Sequence, residues 1–206
     1  MTLATVLKSA WAKPVVHLLC LLPLLWLLVA IFTDGLGANP VEALTHETGQ
    51  WALRLLLVTL ALTPLRQWTG EGAWIRFRRM VGLYCYFYAC CHFLIWFVAD
   101  HALDLQTMLE DVIKRPYITL GFAAFVLLLP LAVTSNQAML RRLGRRWKTL
   151  HRLVYLIAVL AVLHFLWLVK ADYLEAIIYA IIAGILLLHR LGPNTRRKLK
   201  SSPASR

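Results

Sequence analysis

The sequence predicts an all-α polytopic membrane protein, a six-helix bundle with both termini on the cytoplasmic side. Of its 206 residues 60% are hydrophobic, and the charged residues, only 16%, are gathered between the apolar runs. Mean hydropathy is +0.67. One soluble core of this length cannot hide so much apolar surface. About 18–20 apolar residues at 1.5 Å each cross roughly 30 Å of hydrocarbon, and runs near that length place spans at 15–32, 48–65, 80–99, 117–134, 150–169 and 174–189.

Lys8 and Lys13 precede the first span. Its apolar run exceeds the roughly 7–15 residues of a secretory signal core, so it reads as a retained span. The second follows GLGANPVEALTHETGQ, whose Gly and Pro signal a turn and whose Thr45–Thr48 segment supplies candidate capping residues. The third is MVGLYCYFYACCHFLIWFV. Pro116 in KRPYITLG opens the fourth, where a missing backbone N–H costs nothing. Pro23, Pro64 and Pro130 fall within or near span ends, which neighbouring helices tolerate. The fifth reads as one helix over 150–169. Residues 1–14 form a cytoplasmic N-terminus, 15–190 the transmembrane domain, and 191–206 a basic tail expected to be disordered.

A net charge of +12 suggests nucleic acid in a soluble protein, but here the charges alternate by connection. Arg66, Arg76, Arg78 and Arg79, then Arg141, Arg142, Arg145, Arg146 and Lys148, then Arg190 and the tail all fall on one side. The opposite connections hold Asp34, Glu42, Glu47, Asp100, Asp104, Glu110, Asp111, Asp172 and Glu175, with Lys114, Arg115 and Lys170 as their basic residues. The positive-inside rule then sets the orientation. GxGxxG and P-loop patterns are absent, so electrons or nucleotides must come from elsewhere. Cys20, Cys85, Cys90 and Cys91 lie inside spans without CxxC spacing and read as small hydrophobes.

His92, His151 and His164 stand within or at the edge of apolar runs, and an intramembrane ionisable group is a functional-site candidate by default. His92 lies about 10 Å below the outer boundary and His164 about 8 Å, on different helices. Matched depth suits two axial ligands of one haem held between helices. His151 lies about 20 Å along the helix from His164 and about 140° around it, beside Arg78 and Arg79. That inner level suits a second haem, or the phosphate of a flavin mononucleotide held by the arginines. Arg54, in the outer half of the second span, is a candidate partner for a haem propionate. His17, His46, His101 and His189, at span ends or in loops, read as interfacial or solvated. A histidine proton relay in a transporter would need acids within the spans, which are essentially absent.

The segments GLGANPVEALTHETGQWALRLLLVTLALTPL, RRMVGLYCYFYACCHFLIW, KRPYITLG and TSNQAMLRRLGRRWKTLHRLVYLIAVLAVLHFLW closely resemble the haem-binding membrane subunits of protein-methionine-sulfoxide reductase systems, a family within the ferric-reductase-like transmembrane superfamily. The resemblance covers about residues 15–170. It implies a multi-pass protein of the bacterial inner membrane, an electron-transfer subunit rather than the catalytic one, carrying haem b. It implies electrons drawn from the quinone pool or a cytosolic flavin reductase, and FMN as an additional cofactor. The implied acceptor is a periplasmic molybdenum-cofactor enzyme that reduces methionine sulfoxide in oxidised proteins. Ligand roles carry over to His92, His151 and His164. The wider superfamily usually places two histidines on each of two helices; this chain lacks the inner one on its third span, leaving one haem or two. The alternative function is a ferric-chelate reductase or another cytochrome b-type carrier with a different acceptor.

Overall fold

The computed structural model describes residues 2–169 and 173–191. Lys170, Asp172 and the basic tail beyond Leu191 lie outside the described residues. The described chain is helical, with no strand among those residues. Its helices are α1 (Leu3–Lys8), α2 (Ala12–Phe32), α3 (Pro40–Thr69), α4 (Ile75–Ala99), α5 (Leu105–Lys114), α6 (Pro116–Val133), α7 (Gln137–Leu143), α8 (Arg145–Leu150), α9 (Leu153–Leu168) and α10 (Leu174–Leu191), with a 3-10 turn at Gly72–Trp74 before α4.

Among the described residues four helical stretches are long and apolar enough to cross a membrane: Ala12–Phe32, Gly72–Ala99, Pro116–Val133 and Arg145–Leu168. Their outward faces are apolar: Leu18, Leu22, Leu25 and Val29 of α2 are all about half exposed or more. Such a surface requires hydrocarbon rather than water around it. This is a multi-pass membrane protein.

Three elements depart from the sequence expectation. α3 begins at Pro40, not near residue 48. Asn39 caps it, its Oδ1 accepting from the Glu42 N–H and its Nδ2 donating to the Glu42 carboxylate, and Pro at the first position is prearranged for the helix. Thr45 and Thr48 are therefore inside the helix, their hydroxyls donating to the Val41 and Leu44 carbonyls. The stretch before the fifth span's apolar run is not one helix either: α8 ends at Leu150, with His151 as its C-cap, and α9 starts at Leu153. Finally, the connection after α4 contains a helix, α5, capped by Asp104, with Met108 and Val112 buried beneath it.

α3 packs against α4, and α6 against α9, more extensively than any other helix pairs. The core runs between the pairs through Leu56 and Leu60 of α3, Val81, Cys85 and Tyr88 of α4, Leu128 of α6, and Ile157 and Ala158 of α9. α10 closes the bundle against α9 and α3. α2 stands outside α4, and Tyr88 pins it: this fully buried phenol donates to the Cys20 carbonyl and accepts from the Leu24 N–H. Those two groups are the i,i+4 pair of one turn beside Pro23, so a single side-chain hydroxyl engages both ends of that turn.

The candidate haem site

His92 projects from α4 and His164 from α9, and their ring centroids are 6.3 Å apart with planes at 72°. Each ring is suspended from the neighbouring helix of its pair. His92 Nδ1 donates to the Thr45 carbonyl at 2.8 Å, and His164 Nδ1 donates to the Tyr117 carbonyl at 2.7 Å. A carbonyl only accepts, so each Nδ1 carries the proton and each Nε2 is left as a bare lone pair. That is how metal-binding histidines are oriented: the outer nitrogen anchored, the inner one presented.

Glycine makes these approaches possible. A Cβ on Gly49 would stand 2.9 Å from His92 Nδ1, and one on Gly121 would stand 2.8 Å from His164 Nδ1. No real side chain fits at those distances, so both imidazoles lie against bare backbone one helical turn beyond the carbonyls that hold them. In both halves the carbonyl and its histidine are 47 residues apart. The α3–α4 and α6–α9 pairs thus present the same device twice.

The two rings border a cavity of about 450 Å³ whose walls include Phe93, Phe125 and Phe165. Phe93 and Phe125 stack at 4.8 Å. His46 lines this cavity rather than standing in solvent, and Arg115 lines it too. His101, expected at an interface, is 9% exposed, edge-on to Trp96 at 4.5 Å and 3.7 Å from Asp111.

The site accommodates a haem by its donor chemistry. Metal–imidazole bonds of about 2 Å on opposite sides of one ion put ring centres roughly 6 Å apart, and the observed spacing is 6.3 Å. The aromatic walls and the two bare Nε2 atoms provide what a bis-imidazole porphyrin needs.

Arg54 is turned away from the cavity toward α10. Its Nε donates to the Tyr179 hydroxyl at 2.7 Å, and one terminal nitrogen donates to Gln50 at 2.7 Å and to Glu175 at 3.0 Å. His151 stands apart from the other two histidines. Trp147 stacks on it at 3.8 Å, and its Nε2 is 3.0 Å from the Thr134 hydroxyl. That hydroxyl donates to the Pro130 carbonyl at 2.6 Å, so it accepts from His151 and Nε2 carries the proton. Arg78 lies near His151 and Tyr155, while Arg79 is exposed.

Sequence reasoning identified both facing histidines but missed Gly49, Gly121, the two carbonyls and Arg115. The equal 47-residue spacing was the signal available for the first four. The acids of the connection after α4 are also less free than composition implies. Glu110 pairs with Lys114 at 2.7 Å, which holds its carboxyl below the usual range, and Asp111 pairs with Arg115 at 3.3 Å.

Fold and site together define a class: a helical multi-pass membrane protein with two histidines presented face to face between helix pairs. The family model for the ferric reductase like transmembrane component matches residues 48–162. The protein-methionine-sulfoxide reductase heme-binding subunit MsrQ of Ralstonia nicotianae is 55% identical over 175 residues, covering 84% of this chain and 81% of the relative. MsrQ of Xanthomonas axonopodis pv. citri is 51% identical over 85% of this chain and 84% of its own length, and that of Herminiimonas arsenicoxydans 50% over 87% and 84%. The chain belongs to the MsrQ family of ferric-reductase-like membrane proteins.

Proposed function

We propose that this protein is a transmembrane b-type haem electron-transfer subunit that supplies reducing equivalents to a methionine-sulfoxide reductase catalytic subunit on the periplasmic side of the bacterial inner membrane, for repair of oxidised proteins. The carrying observation is the pair of imidazoles 6.3 Å apart with both Nε2 atoms bare. His92 and His164 hold the haem. When bound, it would supply a one-electron ferric/ferrous couple. The Thr45 and Tyr117 carbonyls fix the tautomers and raise ligand basicity. Arg115, which lines the cavity while pairing with Asp111 at 3.3 Å, is the cation placed to meet a propionate, whereas Arg54 does not line the cavity and is held by Glu175.

In this reading α3 and α10 also cross the membrane, making six spans with both termini cytoplasmic. The polar residues that set α3 apart, Gln50 and Arg54, are satisfied inside the bundle by Glu175 and Tyr179, so they do not bar it from hydrocarbon. The donor is the quinone pool or a cytosolic flavin reductase, and the acceptor carries a molybdenum cofactor. His151, Arg78 and Arg79 belong to an inner centre, with FMN or a second haem as its occupant. The protonated Nε2 of His151 favours one haem, at the outer site.

A dithionite-reduced minus oxidised spectrum with pyridine-haemochrome quantification tests this on wild type, His92→Ala, His164→Ala and His151→Ala. The expected result is a b-type spectrum lost in the first two variants and kept in His151→Ala. Wild-type protein that stays colourless after reconstitution with ample haem removes the reading. Ferric-chelate reductase activity undiminished without any protein partner would favour direct reduction of an external iron chelate instead.

A further inference from the structure

The two halves of the bundle treat arginine differently. In the outer half Arg54 meets Glu175 at 3.0 Å and Glu47 at 3.9 Å, so its charge is matched. In the inner half Arg190 of α10 donates to the Tyr155 hydroxyl of α9 at 2.6 Å, and Arg78 of α4 stands beside both. Neither has a carboxylate within ion-pairing distance among the described residues. Both side chains are half-buried, and like charges beside one phenol in a poorly solvated place repel unless an anion joins them.

The pair is also held in place. Pro64 has no N–H to offer the carbonyl four residues before it, so the Leu60 carbonyl is free within α3. An Arg190 terminal nitrogen takes that acceptor at 3.3 Å, and the other donates to Tyr155 at 2.6 Å. A guanidinium has five N–H donors, and these two bonds leave the rest unused. α9 and a proline-freed carbonyl of α3 therefore fix the Arg190 fork, with the Arg78 cation of α4 beside it, a pairing suited to a tetrahedral oxyanion.

We infer that Arg78, Arg190 and Tyr155 form a phosphate-binding site in the inner half of the bundle. It deepens the inner-centre reading by adding Arg190 and Tyr155 to Arg78 and by fixing the ligand chemistry as a phosphate group. Two sources carry that group to this depth: the headgroup of an anionic phospholipid, and a free phosphorylated cofactor.

The test uses full-length protein in nanodiscs and reads thermal stability with three probes: inorganic phosphate, FMN, and phosphatidylglycerol in place of phosphatidylcholine. A ligand at a hundred times its Kd stabilises only the folded state that binds it, so a rise in Tm of several degrees is expected with at least one probe. The rise should vanish in Arg190→Gln and Arg78→Gln and persist in Arg66→Gln, an exposed arginine at the end of α3. A response to phosphatidylglycerol alone assigns the lipid headgroup, and a response to phosphate or FMN in a phosphatidylcholine disc assigns a free phosphate. Wild type that responds to none of the probes overturns the site, a result that needs no variant to fold. A response unchanged in both arginine variants overturns it too. The haem spectrum of the same samples reports separately, so failure of the haem reading and failure of this site are told apart.

Discussion

His92 and His164 are mirrored in their anchoring: each donates its Nδ1 proton to a backbone carbonyl 47 residues earlier in the chain, and each ring lies against a glycine one turn beyond that carbonyl. The ring orientation is thus fixed by main chain, which cannot rotate away as a side chain can. Preorganised ligands bind metal without the cost of ordering them.

Enlarging either glycine should therefore disturb the haem before it disturbs the fold. Gly49→Ala and Gly121→Ala are expected to weaken haem retention by about tenfold or more, read by haemochrome content after dilution. Gly184, which has nothing within 4 Å of a built Cβ, is the control. Gly184→Ala should keep full haem and stabilise α10 by about 0.5–1 kcal/mol. Equal haem in all three variants would contradict the cradle.

Arg115→Gln should lower the midpoint potential of the haem, because the reduced haem carries one positive charge fewer and gains more from a nearby cation. For a half-exposed charge the expected shift is roughly 20–50 mV. Arg54→Gln, at a residue that does not line the cavity, should move it less. Redox titration of the two variants checks the order.

Tyr88→Phe conserves shape and removes one hydroxyl that satisfies two backbone groups of α2. Losing both bonds should destabilise the protein by about 1–3 kcal/mol. Thermal unfolding in detergent with haem bound reads the loss, and an unchanged Tm would show that the hydroxyl does not hold α2 to α4.

Glu175→Gln leaves Arg54 with Glu47 at 3.9 Å as its nearest carboxylate. The partly exposed position puts the expected loss at about 1–2 kcal/mol, between surface and buried ion pairs. A double-mutant cycle with Tyr179→Phe should show coupling of about 0.5 kcal/mol or more, since one carboxylate oxygen serves both partners. Additive losses would mean that the cluster is two independent bonds.

The amino-acid sequence by itself determined the membrane class and the matched level of His92 and His164 on two different helices. Each follows from composition and from a rise of 1.5 Å per residue, both local properties of the chain. The start of α6 at Pro116 was legible, while that of α3 at Pro40 was misread, because that proline reads equally as a turn signal and the threonines that can cap a helix instead bond back to their own turn. Which nitrogen each histidine presents was settled only by tertiary structure, because it depends on a carbonyl from another helix. The same holds for Arg54, which has the depth for a propionate but whose direction is set by Glu175 and Tyr179, over a hundred residues away in the chain. Helical periodicity gives a residue's height and face; what that face meets is decided by which helices pack together, and the pairing of α3 with α4 and of α6 with α9 is a property of the whole bundle.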